Sequence, residues 1–469
     1  MVFNSVVFVV FLAAVLVLYW ATPARYRNII LLVGSYIFYG WWDYRFLALL
    51  MISTVVDFTV GKRLYASSED SKRLRWLLTS VSVNLGILAL FKYSGFFVDS
   101  LSALTESLGL GTLNPALRVV LPVGISFYTF QTMSYTFDIY RHRIDPTRSI
   151  IDFGTYVAYF PQLVAGPIER AQRLLPQIER YERPKPQGDR LIAGLGLIAV
   201  GFFKKVVLAD GVAGVANAMF ADPGQFSWIS TIVGIVAFAI QIYGDFAGYT
   251  DIARGVSKLL GIDLVLNFSE PYLARNITEF WRRWHISLSD WLRDYLYVPL
   301  GGNRGSTLAT YRNLMITMLL GGLWHGASWN FVVWGGLHGL YLVVHKLVGG
   351  GRVDAGPVRW RHVPSILLTF VFVNIAWVFF RADSFDSSWQ ILRNIFTLKE
   401  GFTAKADLTL VAILGVATLI VDLGNRKGFD ALRLVRRSPA LAGAATALVI
   451  GAVIVFSGGT PEPFIYFQF

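Results

Sequence analysis

Two histidines stand where ionisable side chains are costly to keep. His325 lies in the run G-G-L-W-H-G-A-S-W between two apolar arms, and from Tyr295 to Val353 the chain has no Asp or Glu. Ionisable groups in such surroundings usually mark a function. No carboxylate nearby in sequence holds a charge on His325, and desolvation favours the neutral imidazole, the form a general base needs. Glycines on both sides let backbone or substrate come close. A packed histidine satisfied by a backbone carbonyl is the structural alternative. His285, forty positions earlier, sits in F-W-R-R-W-H-I-S. At 100° per residue it falls only about 40° from Trp281, so it faces inward with the tryptophans.

His338 and His345 recur at seven-residue spacing on one helix face. Zinc sites usually draw on three or four ligands, and no carboxylate or cysteine accompanies this pair, so no metal is expected. Asp245, Tyr249, Asp251 and Arg254 belong to G-D-F-A-G-Y-T-D-I-A-R-G, after a strongly apolar run. Buried charges pair, which makes an Asp–Arg network the default and tunnel lining or histidine orientation the second role. Trp324 and Asn330 flank His325 and join Asp245, Tyr249 and Asp251 as candidate tunnel or substrate-positioning residues. Asn330, Gln131 and Ser126 are polar groups in apolar segments, which more often join helices by hydrogen bonds.

The elements that must position these residues follow from composition. Of 469 residues, 55% are hydrophobic and only 15% charged, against about 25% charged in soluble globular proteins. Mean hydropathy is +0.53. There is no cysteine, so disulfides, thiolate metal sites and a cysteine nucleophile are excluded. Apolar runs near bilayer-spanning length (about 20 residues) occur near 5–22, 28–42, 46–61, 75–98, 117–139, 151–166, 191–208, 228–247, 313–326, 329–347, 363–380, 408–423 and 440–457. No polar linker divides them. The expectation is one all-α polytopic membrane domain over 1–469, with about eleven transmembrane helices. Short re-entrant and interfacial amphipathic helices would complete a funnel or tunnel. The first run, Phe3 to Trp20, lacks the basic n-region of a cleaved signal peptide and reads as a retained span.

The net charge of +12 sits in short loops, where it orients a membrane chain rather than binding nucleic acid. Lys62 to Arg75, Arg141 to Arg148, Arg170 to Arg190, Arg352 to Arg361 and Arg426 to Arg437 are the basic loops. The positive-inside rule makes them cytoplasmic. The loop at 99–116 is then external, as is the tail 458–469. Segment 276–298 predicts an amphipathic helix, capped by Asn276 or Thr278, with Ile277, Trp281, Trp284, Leu288, Leu292 and Tyr295 on one stripe. Glu279, Arg282, Asp290, Arg293 and Asp294 fall opposite. Such a helix avoids the cost of mid-bilayer arginines by lying at the interface or lining an aqueous funnel.

F-W-R-R-W-H-I-S-L-S-D-W-L-R-D-Y-L-Y-V-P-L-G-G-N-R, then Y-R-N-L-M-I-T-M-L-L-G-G-L-W-H-G-A, resembles the signature of the membrane-bound O-acyltransferase family. Within it the sequence is most similar to alginate and cellulose O-acetylation subunits, and more distantly to the teichoic acid D-alanyl transfer subunit. The resemblance runs nearly end to end, through R-Y-R-N-I-I-L-L-V-G-S-Y-I-F-Y-G-W-W, L-P-V-G-I-S-F-Y-T-F-Q-T-M-S-Y and Y-F-P-Q-L-V-A-G-P-I-E-R. It implies that His325 is the catalytic histidine, in the apolar hairpin 313–347, and His285 a second functional one. It also implies a tunnel in which a cytoplasmic thioester donor meets an acceptor hydroxyl from the other face.

The extreme C-terminus, P-F-I-Y-F-Q-F, has two readings. Aromatic residues favour the membrane interface, so an interfacial anchor is one. The spacing Phe464-x-Tyr466-x-x-Phe469 resembles the C-terminal motif of the small partner protein in D-alanylation, which makes Tyr466 an acyl relay in the other. A tyrosine hydroxyl has a pKa near 10, so it needs a base such as His325 to attack a thioester.

The sequence therefore leads to a multi-pass enzyme of the bacterial inner membrane, C-terminus outside. It would transfer acetyl from acetyl-CoA, a donor substrate rather than a resident cofactor, toward an extracytoplasmic polysaccharide such as alginate. His325 is the general base and His285 positions donor or acceptor. The resemblance implies a periplasmic acetyltransferase or SGNH-esterase-like partner that finishes the transfer. D-alanyl or other acyl transfer from a carrier protein is the rival within the chemistry. A transporter or channel with pore-lining histidines is the rival outside it.

Overall fold

The computed structural model describes residues 1–111, 120–350, 358–426, 431–457 and 462–467. It is built of helices, and no strand occurs among the described residues; a single isolated bridge joins Phe226 to Phe402. The chain forms two compact units: Met1–Pro186 with Val256–Leu264, and Gln187–Gly255 with Val265–Phe469.

In the first unit the helices are α1 (Val6–Ala21), α2 (Arg27–Asp43), α3 (Leu47–Ala66), α4 (Asp70–Leu88), α5 (Ser94–Ser107), α6 (Ile125–Tyr140), α7 (Ile150–Ala158), α8 (Phe160–Leu163) and α9 (Ala171–Glu179). Serines open several of them. Ser5 accepts from the Phe8 N–H and Ser149 from the Asp152 N–H, each satisfying one of the donors a helix start leaves orphaned. Polar side chains tie the apolar helices together: buried Asp57 on α3 accepts from Ser80 Oγ at 2.5 Å and from Asn84 Nδ2 at 2.9 Å on α4. Gln131 on α6 donates to the Tyr156 carbonyl on α7 at 2.6 Å, the helix-joining role expected of it. The apolar run at 151–166 is not one straight helix. It breaks at Tyr159, whose ψ of 105° leaves the helical region.

The second unit holds α10 (Gly188–Phe202), α11 (Asp210–Ala221), most of α12 (Trp228–Leu259), α13 (Ile277–Trp281), α14 (Ile286–Leu292), α15 (Thr307–His325), α16 (Trp329–Leu347), α17 (Val363–Arg381), α18 (Phe385–Phe396), α19 (Lys405–Arg426), α20 (Ala431–Arg437) and α21 (Pro439–Phe456). Between α10 and α11 the backbone widens into a π-helical stretch, Phe203–Ala209, a geometry often found at functional places. The α10–α12 contact is a backbone approach: a Cβ on Gly248 would stand 2.7 Å from the Gly201 carbonyl oxygen. Small residues let membrane helices close to this distance.

Seven helical stretches among the described residues are long and apolar enough to cross a bilayer. The fold is the all-α, multi-span class expected from composition.

Candidate active site

The α15–α16 hairpin sets the position of His325. A Cβ on Gly322 would lie 2.2 Å from the Phe331 carbonyl oxygen, and one on Gly335 2.3 Å from that of Met318. No larger residue permits this crossing. His325 is the last residue of α15, and the chain leaves through Gly326, over which the Phe331 ring closes. His325 is 3% exposed. Its ring centroid lies 5.0 Å from Trp324, 5.0 Å from Trp334 and 5.4 Å from Phe380.

His285 comes from the segment expected to be one amphipathic helix over 276–298. The structure divides that segment. Asn276 caps α13 by accepting the Glu279 N–H, the helix ends at Trp281, and α14 begins only at Ile286. His285 lies at the break with φ +43°, a left-handed backbone that few residues adopt. The cause is a competing acceptor. The Asn267 carbonyl takes the Ile286 N–H at 2.9 Å, and Asn267 Oδ1 takes the Ser287 N–H at 3.1 Å and the Ser287 hydroxyl at 2.9 Å. These bonds replace the intrahelical ones and turn the imidazole inward, where it is fully buried. Burial, opposed in part by a backbone hydrogen bond, pushes its pKa down to about 3, so it stays neutral at physiological pH.

The wheel placed Glu279 on the polar face. It is instead 1% exposed and pairs with Arg275 at 2.8 Å and Arg283 at 2.9 Å, so its charge is buried with partners rather than solvated.

The two imidazoles meet edge-on, ring centroids 6.4 Å apart and planes inclined at 61°. Forty residues of separation give no hint of this contact; only the fold brings it about. Phe246 on α12 packs edge-on against His285 at 4.7 Å. Tyr466 enters the same chamber, 4.6 Å from Phe246 and 5.8 Å from His325. Phe464 stacks on Tyr466 at 5.6 Å and meets Tyr249 at 5.1 Å. Burial drives the Tyr466 hydroxyl above its ordinary pKa. The outer parts of the tail, 458–461 and 468–469 with the motif's Phe469, lie outside the described residues.

The lesser candidates divide. Asp245 holds the tail, because its Oδ2 accepts the Ile465 N–H at 2.6 Å. Asp251 pairs with Lys204 at 2.7 Å and Arg254 at 3.3 Å, the network expected of buried charges. Asn330 donates to the Ala382 carbonyl at 2.7 Å, joining α16 to the end of α17. His338 stands outside the two-histidine chamber: Trp281 Nε1 donates to its Nδ1 at 3.3 Å. His345 Nδ1 meets the Thr278 hydroxyl at 2.9 Å. Their shared helix face thus rests on α13. Sequence reasoning missed Asn267, Phe246 and Lys205. Of these only Lys205 carries a signal, as one of two adjacent lysines inside the apolar run 191–208.

Comparison with known proteins agrees with this architecture. Residues 31–385 match the membrane-bound O-acyltransferase family. The chain belongs to that family. A protein named "probable alginate O-acetylase" from Azotobacter vinelandii is 42% identical over 426 residues, covering 90% of this chain and 83% of that protein. The peptidoglycan O-acetyltransferase of Helicobacter pylori is 35% identical over 80% of this chain and 75% of its own length. A teichoic acid D-alanyltransferase of Streptococcus thermophilus is more distant, 27% identical over 57% of this chain and 70% of its own. The membership makes this protein a multi-pass membrane O-acyltransferase.

Proposed function

We propose that the protein moves an acetyl group from acetyl-CoA, taken at the cytoplasmic face of the bacterial inner membrane, to Tyr466, and from there toward an extracytoplasmic polysaccharide. The observation that carries this is the meeting of His325, His285 and Tyr466 in one aromatic chamber, with Tyr466 at 5.8 Å from the His325 ring. The phenol is held neutral by burial, so its attack on a thioester needs a base. His325 takes the proton as the hydroxyl oxygen bonds to the acetyl carbon. The C–S bond then breaks and the thiolate leaves with a proton, so the products are an aryl acetate and free CoA. His285, neutral and fixed by Asn267, positions the donor.

The aryl ester then passes its acetyl group to a hydroxyl of an extracytoplasmic partner, an acetyltransferase or SGNH-esterase-like protein, which regenerates the phenol. Relatives named as alginate O-acetylases support alginate as the final acceptor. The loop charges support the C-terminus lying outside. Trp324, packed 5.0 Å from His325 and 5.9 Å from His285, lines the space where the thioester carbonyl would sit.

The experiment supplies labelled acetyl-CoA to reconstituted protein and maps the label by peptide mass spectrometry. The expected result is acetyl on Tyr466 in wild type and none after Tyr466→Phe or truncation after Pro463. Unimpaired polysaccharide acetylation by Tyr466→Phe would overturn the relay. Consumption of an acylated carrier in place of acetyl-CoA would overturn the donor.

A further inference from the structure

We propose that Lys205 and Asp245 form a main-chain clamp that sets the register of the C-terminal segment and so delivers Tyr466 to His325. Lys205 Nζ faces three oxygens: Asp210 Oδ1 at 2.7 Å, Asp245 Oδ1 at 3.0 Å and the main-chain oxygen of Glu462 at 3.1 Å. The ammonium donates to Asp210 Oδ1 and to the tail's Glu462 oxygen, and Asp245 Oδ1 stands beside it as an ion-pair contact. Asp245 Oδ2 accepts the Ile465 N–H at 2.6 Å. The pair therefore grips one C=O and one N–H of the segment, three residues apart.

The cluster is deeply placed, with side-chain exposures of 9% for Lys205, 15% for Asp210 and 4% for Asp245. Two carboxylates and one ammonium withdrawn from water are costly unless the remaining protons and lone pairs find partners. Here the tail supplies one acceptor for the ammonium and one donor for Asp245 Oδ2, and both are lost when the tail is not seated. Both gripped groups are main chain. The clamp thus reads position along the segment, independent of side chains, and the residue after the gripped N–H is Tyr466. Phe464, against Tyr249 and Phe246 at 5.1 and 5.9 Å, adds the side-chain half of the seat. Lys205 and Asp245 are positioning residues acting through Tyr466, which rests on the relay proposed above.

The chain has no cysteine, so Ile465→Cys in the full-length protein provides a single thiol next to Tyr466. Its main-chain N–H is retained, and slow labelling by a polar maleimide is expected. Adding Lys205→Met or Asp245→Leu removes charge-assisted bonds and should raise the labelling rate by about tenfold or more. The same variants should lower kcat for acetylation of Tyr466 while leaving the KM for acetyl-CoA within about twofold. Ile465→Pro leaves the cluster intact and deletes only the gripped N–H, which covers the case in which a cluster variant fails to fold. It should speed removal of the C-terminal residues by carboxypeptidase. Unchanged labelling in monodisperse cluster variants, or unchanged carboxypeptidase release in Ile465→Pro, would overturn the clamp. Labelling and release are read without any acyl transfer, so a failed relay leaves the clamp standing and is seen separately, as absence of acetyl on Tyr466.

Discussion

Asn267 Oδ1 lies 3.2 Å from His285 Nδ1, and this contact decides the tautomer of the histidine. The same Asn267 atom accepts the Ser287 N–H at 3.1 Å. A backbone N–H only donates, so that atom is the amide oxygen, and His285 Nδ1 must be the donor to it. Nε2 then carries the lone pair. An asparagine 18 positions upstream thereby orients the imidazole, fixes its proton and holds open the break between α13 and α14.

Replacing Asn267 by leucine should release His285 without altering any reacting group. The bonds lost at the Asn267 side chain are to His285, the Ser287 N–H and the Ser287 hydroxyl. Leaving buried polar groups unpaired costs roughly 1–3 kcal/mol, and the thermal midpoint in detergent should fall accordingly. Turnover should drop by about tenfold or more as His285 loses its orientation. Wild-type turnover in Asn267→Leu would show that His285 needs no such support.

His325→Ala tests the base directly. A positioned general base contributes typically 10²–10⁴-fold, so acetyl transfer by correctly inserted His325→Ala should fall at least about a hundredfold. Single-turnover measurement in proteoliposomes separates this from slow product release. Near-normal single-turnover rates would remove His325 from the mechanism.

Much of this was legible in the sequence, and the parts that were not have physical causes. Apolar runs give spans because length and hydropathy are local properties. The wheel and the structure agree that His285 faces inward, but for different reasons: the helix ends at Trp281, and the outside acceptors of Asn267, not helical periodicity, turn the imidazole in. Glu279 was misplaced because the wheel assigns a face and says nothing of Arg275 and Arg283 closing over a carboxylate. The meeting of His285 with His325 and Tyr466 depends on contacts 40 to 181 positions apart, which no window along the chain senses. Lys205 was visible as a charge in an apolar run, but its partners Asp245 and Glu462 lie far along the chain.

The neutral, buried state of His285 ties stability to pH. Its folded pKa is lowered to about 3 from an unfolded value near 6.5. Between these values the unfolded chain binds the extra proton, so stability falls as pH drops through this window and is fully present above it. At pH 5 the His285 contribution amounts to about 2 kcal/mol relative to pH 7.5. Wild type should therefore lose more thermal stability between pH 7.5 and 5 than His285→Gln does. Equal losses in the two proteins would mean that His285 is protonated in the folded state.

The α15–α16 crossing offers a test in which no chemical group is touched. A Cβ on Gly335 would stand 2.3 Å from the Met318 carbonyl oxygen, whereas one on the adjacent Gly336 would meet nothing nearer than Leu319 Cδ2 at 3.6 Å. The first distance is impossible without parting the helix backbones, and the second is ordinary packing. Overpacking of this kind costs typically 1–3 kcal/mol. Parting these helices also moves His325, on α15, away from Trp334, on α16, against which it packs at 5.0 Å. Gly335→Ala should therefore lower both the thermal midpoint and the transfer rate, while Gly336→Ala, one residue along the same helix, leaves both near wild type. The paired comparison isolates backbone approach from helix propensity, because each variant makes the same Gly→Ala change within one helix. Equal behaviour of the two alanine variants would show that the hairpin tolerates separation and that His325 is held by other contacts.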